Sequence, residues 1–254
     1  MLVVLTYLNF QHSVFIFVMA YARLATVIYI LPVMGDRILA NLIVKNMIVT
    51  MVILGLWPYF NEPVEPEQGW FIVLVKEFLI GLILAVLLSV PFWVINNIGE
   101  IIDNQRGATI SDSIDPVNGT QSSVLAGFFS FAFGAIFFAC DGMQILIGAM
   151  AASYKILPVG ASIVGLQISV IGELLDILIR ASIMLASPVL IALMVSEVLL
   201  GIFSRYCPQL NPFALSLTMK SVISFLVFLT YGFQSLTETP LHLFSSINLS
   251  RLIL

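Results

Sequence analysis

Six stretches of about 20 or more mostly apolar residues recur along this chain, at 10–31, 38–57, 71–95, 124–150, 181–203 and 213–236. Each approaches or exceeds the length a helix needs to cross a bilayer. The chain is therefore expected to be all-α and polytopic, with about six to seven hydrophobic helices, some kinked or broken. The stretch 161–180 is less apolar and reads either as a seventh span or as an interfacial helix. Composition agrees, because 60% of residues are hydrophobic and 9% are charged, with a mean hydropathy of +1.10. Soluble domains hold about 45–50% apolar and about 25% charged residues, so lipid is the solvent that fits.

Charge excludes one class of partner. The net charge is −4, and Lys and Arg are scattered singly from Arg23 to Arg251, so no basic field exists to attract nucleic acid. Cys140 and Cys207 have no second Cys or His at ligand spacing, and His12 and His242 stand near opposite ends of the chain. Neither a metal nor a cofactor is expected. The first apolar run continues past Arg23 to Leu31, which reads as a retained span and not as a cleaved signal. The connection 58–69 carries three glutamates and no positive charge, as expected of an aqueous loop outside the cytoplasm.

Ionisable residues inside apolar runs are costly unless paired or hydrated. Glu173, Asp176 and Arg180 are spaced i, i+3, i+7 and share one helix face, where Asp176 and Arg180 can pair. That face reads as the self-neutralised polar face of an interfacial helix, with a hydrated pore or a subunit contact as the alternative. Lys76 and Glu77 are adjacent and need partners elsewhere, whereas Glu197 and Lys220 sit in neighbouring spans and can pair. Pro91 precedes Glu100 by nine residues, and Pro188 precedes Glu197 by nine, which reads as coincidence or as a distant repeat of kinked helices. Ala126, Ser130 and Gly134 form a small-residue stripe suited to helix–helix contact, or a chance pattern.

The most informative segment is 96–123, dense in Asn, Asp, Ser, Gly and Pro, the residues of turns. It reads as a plain extramembrane loop or as a plug-like element in an aqueous path, sealed by Ile110 and Ile114. Arg106 is expected to anchor it to a carboxylate or to carbonyl groups.

Two blocks then become recognisable. Pro91-Phe92-Trp93, Gly99 to Thr109 and Ser113 to Pro116 with Asn118-Gly119 form the first. Ala186-Ser187-Pro188, Ser196-Glu197, Leu200-Gly201, Ser204-Arg205 and Lys220-Ser221 belong to the second. Together they resemble the SpaR/YscT/EscT family, the T components of the type III secretion export apparatus, which is related in plan to flagellar FliR. The string Asp103-Asn104-Gln105-Arg106-Gly107-Ala108 favours the virulence-type system. The resemblance implies one export-gate domain over residues 1–254, in the bacterial inner membrane and crossing it several times. It implies one copy assembled with R and S subunits into a helical, pore-forming gate, alongside the U component and the machinery of the export ATPase. Unfolded secreted proteins would pass through that gate, with membrane lipid around it.

Residues Asp103 to Gly107, Ile110, Ile114, Asp115, Pro116, Asn118 and Gly119 would form the plug, and Glu100, Glu197, Arg205 and Lys220 would serve assembly. No Ser/His or paired-Asp catalytic arrangement stands out, so the chain is not expected to be an enzyme, and with no phosphate-binding loop and no H-E-x-x-H motif its energy is expected from partner proteins. A small-solute transporter with kinked helices lining a midplane site is the alternative.

Overall fold

The computed structural model describes residues 2–35, 39–60, 69–107, 123–159, 169–206 and 212–232. Among these residues every regular element is helical. Seven are α-helices: α1 (Leu2–Ile30), α2 (Leu42–Gly55), α3 (Trp70–Arg106), α4 (Val124–Ala139), α5 (Gly142–Ile156), α6 (Ser169–Tyr206) and α7 (Pro212–Val227). Short 3-10 turns occupy Pro32–Met34 and Trp57–Phe60, and a π-helical turn, Phe228–Gly232, extends α7.

Three helical stretches are long and apolar enough to cross a bilayer: Asn9–Ile30, Trp70–Arg106 and Gly172–Tyr206. The seven α-helices among the described residues agree with the expected six to seven hydrophobic helices, and the other expected spans differ in detail. The run 124–150 is not one straight helix but α4 and α5, separated at Cys140-Asp141. Asp141 adopts φ 55°, a left-handed conformation that Asp tolerates better than most residues, and Gly142 follows. The run 38–57 contains only the 14 residues of α2, about 21 Å of helix against a hydrocarbon core of about 30 Å. Residues 161–180 are not a separate span. Those from Ser169 onward form the first turns of α6, continuous with 181–203, and 160–168 lie outside the described residues.

Pro91 and Pro188 both lie inside continuous helices, the mid-helix positions expected of them. Pro188 cannot donate to the Met184 carbonyl four residues earlier, and the Ser187 hydroxyl donates to that oxygen instead at 2.8 Å. Ser89 serves a different carbonyl, that of Ala85, at 2.7 Å. Asp176 and Arg180 pair at 2.8 Å on an exposed face of α6.

The chain divides into two compact units. The first holds α1, α2, α3 as far as Val90, and α5; the second holds α3 from Pro91, α4, α6 from Glu173, and α7. In the first unit α2 is inside out. Lys45, Val49 and Ile53 face inward, while Leu42, Ile43, Met47, Met51 and Leu54 are exposed. That pattern suits a helix surrounded by lipid or by other membrane helices. An apolar groove of about 400 Å³ runs beside α2, lined by Val44, Met47, Ile48, Met51 and Ile147 among others. Side chains of this kind offer a polar solute no hydrogen bond.

The core of the first unit contains a charge pair. Arg23 of α1 is fully buried, and its Nε donates to Glu77 Oε2 of α3 at 2.7 Å. Nη1 donates to the backbone oxygens of Ser153 (3.3 Å) and Leu157 (3.0 Å) at the end of α5. The Leu157 carbonyl is one that a helix terminus leaves without an intrahelical partner, whereas the Ser153 carbonyl also accepts the Leu157 N–H at 2.9 Å. The α1 and α3 backbones touch here, because a Cβ on Gly81 would collide with the Arg23 carbonyl.

Candidate functional site

The site is built on the last turns of α3, which the sequence reading placed in a loop. Residues 96–106 are helical because Ile95, Ile98 and Ile102, spaced i, i+3, i+7, bury one face. Gly99, Asp103 and Arg106 follow the same face. The helix stops at Gly107, whose φ of 82° only glycine adopts freely, with its N–H donating to Asn104 O at 3.1 Å.

Asp103 is 1% exposed and holds three donors. Oδ1 accepts from Arg106 Nε at 2.7 Å; Oδ2 accepts from the Ser123 hydroxyl at 2.6 Å and from the Leu125 N–H at 3.0 Å. Ser123 is the N-cap of α4, its hydroxyl oxygen accepting from Ala126 N at 3.0 Å. The carboxylate thus supplies an acceptor and a negative charge at a helix start that wants both. Arg106 continues the network, Nη1 donating to Ser221 Oγ of α7 at 3.4 Å.

The result is a clamp. One carboxylate ties the end of α3 to the start of α4 and so fixes both ends of segment 108–122. Asn104 is exposed and Gln105 half-buried beside it. Ile110, Ile114, Asp115, Pro116, Asn118 and Gly119 lie outside the described residues.

One turn and more back, α3 and α4 meet backbone to backbone. A Cβ on Gly99 would collide with Ala126 Cα and N. Ser130 Oγ donates to Asn96 Oδ1 at 3.4 Å, and Asn96 Nδ2 donates to Glu100 Oε1 at 2.7 Å. The Ala126–Ser130 part of the small-residue stripe is therefore a helix contact. Gly99→Val should separate the two helices and loosen the clamp, lowering thermal stability of the purified protein by an overpacking cost of about 1–3 kcal/mol or more. Unchanged melting would mean that the contact yields without cost.

The other expected residues do not converge on the clamp. Glu197 of α6 and Lys220 of α7 pair at 3.1 Å. Arg205 is exposed in the last turn of α6. Among the described residues no group of His, Cys, Asp and Glu has the arrangement of a metal site. The elements of interest are thus a loop clamp and an exposed charge on an apolar span.

Comparison with known proteins places the sequence in a family. The sequence model of the family described as bacterial export proteins, family 1, matches residues 14–246. This chain belongs to that family. The surface presentation of antigens protein SpaR of Shigella flexneri is 38% identical over 210 residues, covering 82% of this chain and 81% of the relative. SpaR of Salmonella typhimurium is 34% identical over 240 residues, 93% and 90% of the two chains. The Yop proteins translocation protein T of Yersinia pestis is 29% identical over 235 residues, 90% of each. As a bacterial export protein of family 1, the chain is a membrane protein whose clamp and spans belong to an export component.

Sequence reasoning missed several residues that matter in this export protein. Ser123 was the last residue of a presumed loop, yet a Ser just before an apolar run is an N-cap signal. Arg23 and Glu77 were not paired, although each is a charge inside an apolar segment. Ser221 stands in the second recognisable block, but no local pattern links it to Arg106, which it meets only through tertiary packing.

Proposed function

We propose that this chain is the T-type subunit of the inner-membrane export gate of a virulence-type type III secretion system, through which unfolded secreted proteins pass. The observation that carries the reading is the Asp103 clamp. A single buried carboxylate fastens both ends of a segment containing Ile110, Ile114, Asp115, Pro116, Asn118 and Gly119. A loop fixed at its roots and free in its sequence to seal or yield is what a gate requires. The roots hold register while the apolar residues between them exclude water and ions until a chain arrives.

In this reading the whole chain acts as one multi-pass gate subunit of the bacterial inner membrane. It assembles as a single copy with R and S components, near the U component and the export ATPase machinery. Energy comes from those partners and from the proton-motive force. Wholly helical spans and charges paired within the chain support a scaffold in preference to a reaction site.

Two measurements test the proposal. Co-expressed with R and S candidates and weighed intact by native mass spectrometry, one copy of this chain should appear with several of each partner. A monodisperse particle of this chain alone, indifferent to those partners, would remove the reading. In the assembled complex, deleting Gly107–Gly119 or changing Ile110 and Ile114 to Gly should make membranes leak ions. If such complexes assemble and membranes stay tight, the segment is not the seal.

A further inference from the structure

The apolar run of α6 from Ala181 to Phe203 carries one carboxylate, Glu197, and its position is awkward. The run spans about 34 Å of helix, with its midpoint near Ala192, so Glu197 lies about 7–8 Å from the centre along the axis. A hydrocarbon core of about 30 Å would therefore contain it. Glutamate is too short to reach the interface from there, unlike the long side chains that snorkel. Yet Glu197 is 57% exposed, on a face it shares with exposed Met194, Val198 and Gly201.

Lys220 answers only part of the problem. It approaches Oε1 at 3.1 Å from the inner side and is itself 10% exposed, whereas Oε2 has no hydrogen-bond donor among the described residues. A half-exposed carboxylate facing lipid would cost several kcal/mol in principle, and such residues normally face protein or water. Gly201, one turn away, has nothing near the position a Cβ would take. That leaves room for another backbone to come close, as small residues do where membrane helices pack. Negative charge, close-approach space and surrounding apolar side chains together define the partner's chemistry.

We propose that the α6 face bearing Met194, Glu197, Val198 and Gly201 is a subunit contact. Its occupant is a membrane helix of another protein of the same apparatus, carrying a lysine or arginine that reaches Glu197 Oε2. This rests on the export-gate reading and adds to it the surface and the charge that select the neighbour. The Glu197–Lys220 pair then serves to hold the carboxylate in place on the free subunit.

The test uses the tagged full chain in membranes that contain its partners, with the co-purifying membrane subunits quantified by mass spectrometry. Glu197→Lys should reduce the retained partner roughly tenfold or more, as expected for an uncompensated charge at a buried contact. A photoreactive residue at position 198 should cross-link to one partner helix, with a Lys or Arg within a turn of the adduct. Reversing that cation to Glu should restore binding of Glu197→Lys. Val198→Trp blocks the face while leaving the Glu197–Lys220 pair intact, so it separates contact from folding and should also lose the partner.

The double change Glu197→Gln with Lys220→Met removes the internal pair without leaving a charge. If it binds the partner as the unaltered chain does, only the internal pair mattered and the proposal fails. It fails equally if Glu197→Lys or Val198→Trp retains the partner, or if position 198 cross-links only to lipid. An unaltered chain that retains no apparatus subunit at all would instead remove the export-gate reading.

Discussion

Asp103→Ala should be the most damaging single substitution in the second unit, and it should act on the segment 108–122 before it acts on the helices. Three donors lose their acceptor at once: the Arg106 guanidinium, the Ser123 hydroxyl and the Leu125 N–H. Removing one partner of a buried pair costs about 3–5 kcal/mol. Arg106 is partly exposed, so water compensates some of that and the lower end, about 3 kcal/mol, is expected. Asp103→Asn should be milder, because an amide oxygen still accepts from Ser123 or Leu125 while the charge on Arg106 goes unanswered.

The distinguishing measurement is local. A protease site placed within 108–122 should be cut faster in Asp103→Ala than in the unaltered protein, at a temperature well below global unfolding. Equal cutting rates, with equal melting, would show that the carboxylate does not hold the segment's roots. Arg106→Lys gives a second reading of the same clamp. One ammonium can replace the bond to Asp103, but it lacks the planar fork that also reaches Ser221. Its effect should fall between those of the unaltered protein and Asp103→Ala.

How much of this was legible in the sequence depends on the length scale of the cause. Helicity and membrane residence follow from apolar runs and were readable, as was the pairing of Asp176 with Arg180, four residues apart on one helix. The polar composition of 96–123 hid a helix in its first half. Turn-forming residues dominate the count there, but Ile95, Ile98 and Ile102 keep the helical period, and periodicity outweighs composition when one face is buried. The break at Cys140-Asp141 was masked the other way, by strongly apolar flanks around a two-residue turn. The Asp103–Ser123 bond joins residues twenty apart and the Arg106–Ser221 bond residues 115 apart. No local pattern encodes such distances. The Gly99–Ala126 contact was half visible, since the small residues on α4 stood out while their partner on α3 did not.

The buried pair of the first unit gives the other large effect. Glu77→Gln or Arg23→Gln should each destabilise that unit by about 3–5 kcal/mol, because each removes one partner of a buried charge pair. Arg23→Gln should be the worse of the two. Besides Glu77, the guanidinium serves the Ser153 and Leu157 carbonyls and lies 4.2 Å from the Tyr154 ring centre, a cation–π contact. Nη2 has no hydrogen-bond acceptor among the described residues, so the pair is not fully satisfied even in the intact protein.

That predicts a particular outcome for the neutral double change Arg23→Met with Glu77→Leu. Eliminating both charges avoids the buried-charge cost and should recover part of the lost stability, so the two substitutions should couple by more than 1 kcal/mol in a double-mutant cycle. Recovery should stop short of the unaltered protein, because the Leu157 carbonyl at the end of α5 would still want the donor that Arg23 supplied. Additive single effects in detergent-solubilised protein would mean that Arg23 and Glu77 act independently. Full recovery would mean that the guanidinium contributes nothing to the end of α5. Partial recovery is the result that assigns Arg23 both tasks: neutralising Glu77, and joining α1 and α3 to the C-terminal turn of α5.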